Sequence, residues 1–334
     1  MFGIYRFTLS IMVVIAHLAG PVINWTGVYA VFCFYLLSGY LMTLVLNHRY
    51  GFDLKGLGRY ALNRILRIYP PYLVLLLMAI LIVCLIPEAA KELNESFSMP
   101  KHPIHWMHNL LIFGLNGDSN RLIPPAWSID VELFFYCVMA LILVRSRIIC
   151  VSWFLFSLGY TVFMVSTGKD FGFRYMSYIG ASLPFSLGAV IYFYRKHLPI
   201  LTPIHGMFSI TLFLLYACLA KFLWANPRDM GFYIALALGL YIQVYLLNLK
   251  KSGLPPWLIK LDKHLGDLSY PIFLCHWQVG AIIVFASPFG VSERGINLLL
   301  LGFFPIIFMA FVINRIIEKP VETLRDIIRN TASR

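Results

Sequence analysis

The sequence predicts an all-α protein built as a polytopic bundle of transmembrane helices. Of its 334 residues, 60% are hydrophobic and only 13% are charged, whereas about 25% of the residues in an ordinary soluble domain are charged. Apolar segments of about 20 residues, long enough to cross a ~30 Å hydrocarbon core, recur along almost the whole chain. Most of the chain is therefore expected to face lipid or other helices.

The apolar segments number about ten, and they leave no stretch for a separate soluble domain. We predict spans at residues 3–23, 28–46, 68–86, 128–144, 148–166, 175–194, 206–224, 231–249, 268–287 and 296–316. The first has no convincing cleavage site after it, so it is predicted to be retained. Residues 1–334 are therefore expected to form one transmembrane domain with no fused extracytoplasmic domain.

The basic residues indicate an orientation. With the amino terminus in the cytoplasm, most of the 27 Lys and Arg residues fall in cytoplasmic connections and in the tail, as the positive-inside rule requires. Both termini are therefore predicted to be cytoplasmic. The net charge of +12 follows from this topology and from contact with anionic membrane lipids, so no nucleic-acid partner is expected.

Two ionisable residues, Arg6 and His17, lie in the first span. They are eleven residues apart, about three helical turns plus ~20°, so their side chains share one helix face about 16.5 Å apart along the axis. An ionisable group at the bilayer centre costs about 2.5 to 3.5 kcal/mol, which favours a functional role. The alternatives are an Arg6 that extends to the lipid headgroups and a His17 that hydrogen-bonds across helices.

Two carboxylates, Asp130 and Glu132, begin the fourth span on the predicted outer side, at a depth similar to that of His17. A carboxylate beside a histidine fixes its tautomer and suits it for general-base work, so Glu132 is predicted to orient His17. Asp130 ranks lower, because a negative charge at a helix start also suits the helix dipole. His276, in the ninth span, either faces the same cavity or forms a structural interhelical bond.

A basic run precedes the third span on the predicted cytoplasmic side. Arg64 and Arg67 are spaced i, i+3 on one helix face, a spacing that can grip phosphate groups. The positive-inside rule explains the same residues as lipid-facing anchors. A coenzyme phosphate site and an anchor therefore remain equal alternatives.

The longest connection, 87–127, contains His102, His105 and His108. Their spacing resembles that of metal ligands, but no carboxylate or cysteine stands at a matching position, so no metal is predicted. The apolar stretch 104–115 is expected to form a short amphipathic helix at the interface. The six cysteines show no pattern of a disulfide framework or a zinc site.

Six motifs in register resemble those of acyltransferase family 3, whose members are membrane O-acyltransferases of bacteria and eukaryotes. The motifs are Arg6 with His17, Phe34-Tyr-Leu-Leu-Ser38-Gly39-Tyr40, Arg64-x-x-Arg67-Ile-x-Pro70, Trp127-Ser-x-x-x-Glu132-x-x-Phe135-Tyr136, Leu268-Ser-Tyr-x-Ile-Phe-Leu-x-His276 and Glu318-Lys-Pro320. Each alone is weak, but together they run in the right order over nearly the whole chain.

The resemblance implies acetyl-CoA as the donor on the cytoplasmic side and a glycan hydroxyl as the acceptor at the outer face of a bacterial inner membrane. The glycan would be a lipid-linked or surface polysaccharide such as O-antigen, capsule or exopolysaccharide. His17, as general base or transient acyl carrier, and Glu132 would be catalytic, and Arg6, Arg64 and Arg67 would bind the coenzyme. The expected substrate-binding or supporting residues are Ser38, Tyr72, Trp127, Ser128, Asp130 and His276.

Three other functions fit the same composition. A transporter also uses many spans with buried charges. A non-catalytic scaffold would use His17 and Glu132 for structure alone. An acyltransferase that acts on a lipid or on a peptidoglycan sugar, or that transfers a longer acyl chain, is the nearest competitor within the enzyme hypothesis.

Overall fold

The computed structural model describes residues 1–249, 253–287 and 294–331, except for the side chains of 330 and 331. The described residues are 84% helical and include no strand, which confirms the all-α prediction. Lys250, Lys251 and Arg334, which contribute to the predicted cytoplasmic charge, lie outside the described residues.

The α-helices of the described residues follow one another with short connections. They are α1 (Phe2–Leu18), α2 (Trp25–Val45), α3 (Leu54–Leu85), α4 (Pro87–Leu93), α5 (Pro103–Leu111), α6 (Trp127–Val138), α7 (Arg147–Ser166), α8 (Phe171–Met176), α9 (Tyr178–Tyr194), α10 (Pro203–Leu223), α11 (Gly231–Asn248), α12 (Pro256–Ala286), α13 (Ile296–Ile313) and α14 (Lys319–Thr331). Short π-helical segments follow α2, α6 and α13, at Leu46–Tyr50, Met139–Leu143 and Asn314–Glu318.

Eight helical segments of the described chain are long and apolar enough to cross a membrane. Every predicted span overlaps a helix, but α1 and α9 have only 17 residues each. The chain is therefore a multi-pass membrane protein by length and composition of its helices. The count of ten spans and the cytoplasmic termini stay predictions.

The third helix begins earlier than predicted. It covers 32 residues and includes the basic run, Pro70 and Pro71, whereas the predicted span begins at residue 68. Prolines lack an N–H, so backbone carbonyls one turn earlier lose their helical donors. Beside this point the hydroxyl of Tyr270 donates to the carbonyl of Ile68 at 3.0 Å. The carbonyls that the two prolines leave without a helical donor are those of Leu66 and Arg67, so the bond from Tyr270 is an additional contact that joins α12 to α3.

The chain divides into two compact units. Unit 1 comprises Met1–Leu9, Trp25–His48 and Glu132–Gly266, and unit 2 comprises Ser10–Asn24, Arg49–Val131 and Asp267–Arg334. Helices α1, α6 and α12 contribute residues to both units.

In unit 1, helix α2 packs against α9, α10 and α11, and α7 packs against α9. The approach of α2 to α9 is close, because a Cβ added at Gly39 would lie 2.1 Å from the carbonyl oxygen of Phe185. The same is true of Gly188, where a Cβ would lie 2.1 Å from the carbonyl oxygen of Leu36. Small residues allow this approach between membrane helices, whose association is driven by van der Waals packing because the hydrophobic effect does not act between them in lipid.

In unit 2, helix α3 packs against α4 and α14. Two tyrosines of α3 also hold α5, because Tyr69 donates to the carbonyl of Leu111 and Tyr72 donates to that of Asn109, each at 2.5 Å. Helix α5 lies within the predicted amphipathic stretch. Its outer face exposes Ile104, Trp106, Met107, Leu110 and Leu111.

Replacement of Gly188 by alanine is expected to destabilise unit 1. The added methyl group would overlap the carbonyl of Leu36, and overpacking of this kind costs about 1 to 3 kcal/mol. The midpoint of thermal unfolding in detergent should fall by several degrees. Gly159→Ala is the matched control, because no atom lies within 4 Å of the position its Cβ would take. Equal midpoints for the two variants would contradict the close approach of α2 and α9.

Candidate functional site

The central feature of unit 2 is a pair of histidines. Nδ1 of His17, on α1, lies 2.8 Å from Nε2 of His276, on α12. The two rings are stacked with centroids 5.0 Å apart. His276 is completely buried, whereas His17 is half-buried. The structure therefore gives His17 a partner that is 259 positions away along the chain.

The backbone beside His276 decides the tautomers of both rings. Nδ1 of His276 lies 3.2 Å from the carbonyl oxygen of Ile272, which can only accept a hydrogen bond. Nδ1 of His276 therefore carries the proton, and its Nε2 accepts a hydrogen bond from Nδ1–H of His17. This order of donors leaves the lone pair of His17 on Nε2, where a base or nucleophile needs it.

Aromatic and polar contacts position α1 on α12 within unit 2. The hydroxyl of Ser10 donates to the carbonyl of Ser269 at 2.8 Å. The ring centroid of Trp277 lies 5.1 Å from that of His17, and the guanidinium of Arg294 lies over the Trp277 indole at 5.9 Å. Because Trp277 is 1% exposed, the imidazole of His17 lies against a rigid apolar wall.

The amino-terminal part of α1, which carries Arg6, belongs to unit 1 and contacts the first half of α12. The backbone N–H of Ile4 donates to Oδ1 of Asp262 at 2.9 Å. A Cβ added at Gly266 would lie 2.9 Å from Nη2 of Arg6 and 2.7 Å from Cα of Gly3. The guanidinium of Arg6 is therefore placed by two glycines that let the helices touch.

Glu132 is held within unit 1 by two hydroxyl groups. Ser38 of α2 and Tyr136 of α6 both donate to Oε1 of Glu132 in short hydrogen bonds. Ser38 and Glu132 were both predicted as site residues, and the structure brings them together. Tyr136 is an addition. Its i+4 spacing from Glu132 is the sequence signal that could have identified it. The predicted orientation of His17 by Glu132 stays a prediction.

A second group of charges lies where α14 packs on α3 in unit 2. Nη2 of Arg64 donates to Oδ1 of Asn63 at 3.0 Å, and Nδ2 of Asn63 donates to the carbonyl of Arg325 at 3.3 Å. The charge of Arg325 interacts unfavourably with those of Arg64 and Arg67. Sequence reasoning missed Arg325 because it treated the segment after the last span as a tail.

The carboxylate of Glu318 balances this basic group. Its charge interacts with that of Arg67, and its Oε2 accepts a hydrogen bond from Nδ2 of Asn314 at 2.8 Å. The two motifs that contain Arg67 and Glu318, 251 positions apart in the sequence numbering, therefore meet in unit 2.

The other predicted supporting residues of unit 2 anchor the connection 87–127, called the outer connection after the side of the membrane predicted for it. Tyr72 bonds to the backbone of α5. Oδ2 of the buried Asp130 accepts the backbone N–H of Asn116 at 3.0 Å, and the hydroxyl of Ser128 donates to the carbonyl of Pro125 at 2.9 Å. Trp127 is half-buried at the start of α6. These contacts give Tyr72, Ser128 and Asp130 a structural role. The predicted contact of these residues and of Trp127 with substrate stays a prediction.

The outer connection also contains a carboxylate that the spacing of its histidines did not reveal. Asp118 lies beside the rings of His105 and His108. Burial acts to raise the pKa of Asp118, but the backbone N–H of Asn120 and the two imidazoles outweigh it and lower the pKa below its ordinary value. The sequence separation of ten residues from His108 hid this neighbour.

Comparison with known proteins identifies one family. The model of acyltransferase family 3, described as an acyltransferase domain, matches residues 4–318 of the chain. No curated protein and no solved structure matches. The matched range includes Arg6, His17, Glu132, His276 and Glu318.

Removal of the Tyr136 hydroxyl is expected to destabilise the protein. Tyr136→Phe removes one of the two hydroxyl groups that donate to Glu132 within unit 1. A hydrogen bond to a charged group is worth about 1.5 to 3 kcal/mol. The midpoint of thermal unfolding in detergent should fall. Tyr160→Phe, which also removes one hydroxyl from an apolar helix, is the control and should change it little. An unchanged midpoint for Tyr136→Phe would show that this bond does not hold Glu132.

Proposed function

The chain belongs to acyltransferase family 3, and from this premise we propose that it transfers an acetyl group from cytoplasmic acetyl-CoA to a hydroxyl of a cell-surface glycan. The observation that carries the proposal is the pair of His17 and His276, with the lone pair of His17 on Nε2. A partly accessible imidazole that is oriented by a second group is an arrangement that suits general-base and nucleophilic catalysis.

The proposed reaction uses this lone pair directly. Nε2 of His17 takes the proton of the acceptor hydroxyl while the hydroxyl oxygen attacks the thioester carbonyl of acetyl-CoA. The carbon–sulfur bond then breaks, the ester forms, and the coenzyme leaves as a thiolate that regains the proton. In the second route, Nε2 attacks the thioester carbonyl, the carbon–sulfur bond breaks, and the coenzyme leaves as a thiolate while His17 carries the acetyl group as an acyl-imidazole. The acceptor hydroxyl then attacks this acyl group, the bond to Nε2 breaks, and the hydroxyl proton passes to the thiolate. Both routes need the same tautomer of His17.

His276 is proposed as a positioning residue. By accepting a hydrogen bond from Nδ1–H of His17, it disfavours the other tautomer, in which Nε2 would be protonated and unable to act as a base. Its own Nδ1–H is engaged by the carbonyl of Ile272. A ring that is completely buried cannot readily turn away. This role resembles that of the third member of a catalytic triad.

The donor side is proposed to lie at Arg64 and Arg67, with Arg325 as a further contact. Three guanidinium groups whose charges repel one another favour an anionic ligand between them. Arginine forks suit phosphate because they form paired, charge-assisted hydrogen bonds. The phosphates of coenzyme A have this chemistry. Arg6 is kept as the further coenzyme contact that membership of the family implies.

The acceptor is proposed to be a sugar hydroxyl on a lipid-linked or surface polysaccharide, with the protein in the bacterial inner membrane. The side-chain amides of Asn109 and Asn120 and the backbone N–H of Asn116 make hydrogen bonds that order the outer connection in unit 2. An ordered polar segment on the outer side is the kind of surface on which a glycan would be presented.

Replacement of His17 by alanine should abolish acetylation, because the base is lost while removal of a polar group lowers the cost of membrane insertion. Proton NMR of extracted surface polysaccharide would compare cells that contain the wild type, His17→Ala or no protein. O-acetyl signals are expected with the wild type alone, at equal membrane abundance of both proteins. Identical spectra in all three would refute glycan acetylation and favour a transporter or another acceptor.

Two replacements of His276 distinguish its hydrogen bond to His17 from the space that its ring fills. His276→Phe fills similar space but cannot accept a hydrogen bond, so turnover should fall about 10²-fold, the lower range for loss of an acid–base device. His276→Gln offers an amide oxygen to Nδ1 of His17 and should retain more activity than His276→Phe. Initial rates with purified protein and radiolabelled acetyl-CoA would measure the difference. Equal rates for the two variants would refute the positioning role.

A further inference from the structure

Three possible metal ligands converge in the outer connection of unit 2. Nδ1 of His105 lies 2.7 Å from Oδ1 of Asp118, and Nδ1 of His108 lies 2.9 Å from Oδ2 of the same carboxylate. The ligand atoms of all three residues lie within 4.8 Å of one another. Two imidazoles and one carboxylate form a ligand set that divalent zinc and related metals prefer.

The local fold brings these residues together in two steps. His105 and His108 are i, i+3 neighbours and share one face of α5. The helix ends at Leu111 and is capped by Ile112, whose φ of 51° is left-handed, and the chain turns back through Gly114, whose φ is 79°. A Cβ at Gly114 would lie 2.9 Å from the His108 ring. The turn therefore needs glycine in order to pass the ring.

The Asp118 carboxylate is held in place by the protein itself. Its Oδ1 accepts the backbone N–H of Asn120 at 2.8 Å, and its side chain is 0% exposed. The two histidine side chains are 22% and 26% exposed, so the cluster is open to solvent on the imidazole side. A cation could therefore enter beside the rings without a large rearrangement.

We propose that His105, His108 and Asp118 bind a divalent first-row transition metal, with Zn²⁺ as the ion to test. Metal–ligand bonds of about 2.0 to 2.2 Å place neighbouring ligand atoms roughly 3.3 Å apart in a tetrahedral site. The two histidine–carboxylate separations would need to open by about half an ångström. Three protein ligands leave a fourth position to water, as in open zinc sites.

The expected affinity is moderate. The charge of Arg121 also interacts with that of Asp118, so a dication competes with a neighbouring guanidinium for the same carboxylate. When bound, the ion would join α5 to the segment that leads into α6. This role is independent of acetyl transfer, and its failure would leave the proposed function untouched.

Zinc binding by the full-length protein tests the proposal. The protein is purified in detergent with an affinity tag that lacks histidine, treated with a chelator and titrated with Zn²⁺ by calorimetry. The wild type should bind about one equivalent, and His105→Gln and His108→Gln should each weaken binding at least tenfold. His197→Gln is the matched control, since His197 is exposed in another connection, and it should bind as the wild type does.

Two results would overturn the proposal. One is wild-type protein that takes up no zinc at micromolar concentrations. The other is a double variant, His105→Gln with His108→Gln, that binds zinc as tightly as the wild type. If the double variant does not accumulate, Co²⁺ titration of the wild type decides. Visible absorption bands that saturate near one equivalent support a nitrogen–oxygen site of low coordination number, and their absence refutes it.

Discussion

The scarcity of water within the membrane is the constraint on which the rest of this structure depends. A polar side chain in hydrocarbon costs several kcal/mol unless it is paired, so each one must find a partner inside the protein. Unit 2 pairs His17 with His276 and Glu318 with Asn314, and unit 1 pairs Glu132 with Ser38 and Tyr136. These polar side chains are therefore oriented by partners on other helices or on the next turn of their own helix.

Close contacts between helices fix the positions of the paired side chains. The α2 and α9 backbones touch at Gly39 and Gly188, and α1 meets α12 at Gly3 and Gly266. Helices that approach this closely have few alternative arrangements, because side chains cannot slide past a backbone contact. Ser38 stands beside Gly39, so the bond to Glu132 benefits from the α2–α9 contact. In the same way, the Gly3–Gly266 contact fixes the guanidinium of Arg6 within unit 1.

Several parts of the molecule could be predicted from local patterns. Hydrophobic length placed a helix under every predicted span, and the eleven-residue separation of Arg6 and His17 put both on α1. The contact partners of the polar side chains were harder to predict. The orientation of His17 by Glu132 stays a prediction, and in unit 2 the ring of His17 contacts that of His276, for which the sequence left a shared cavity and a structural bond as alternatives. Asp118 was missed beside His108 because a turn through Ile112 and Gly114 leaves no periodic signal.

The sequence by itself determined the all-α class, the membrane environment and the order of the family motifs, since hydrophobicity and motif spacing are local properties of a chain. Only the tertiary structure decided which polar groups meet. The tautomer of His17 depends on the carbonyl of Ile272, which acts through His276. The basic group at α3 is completed by Arg325 of α14. These are contacts between helices far apart in sequence. Their formation depends on how side chains pack, which no single segment specifies.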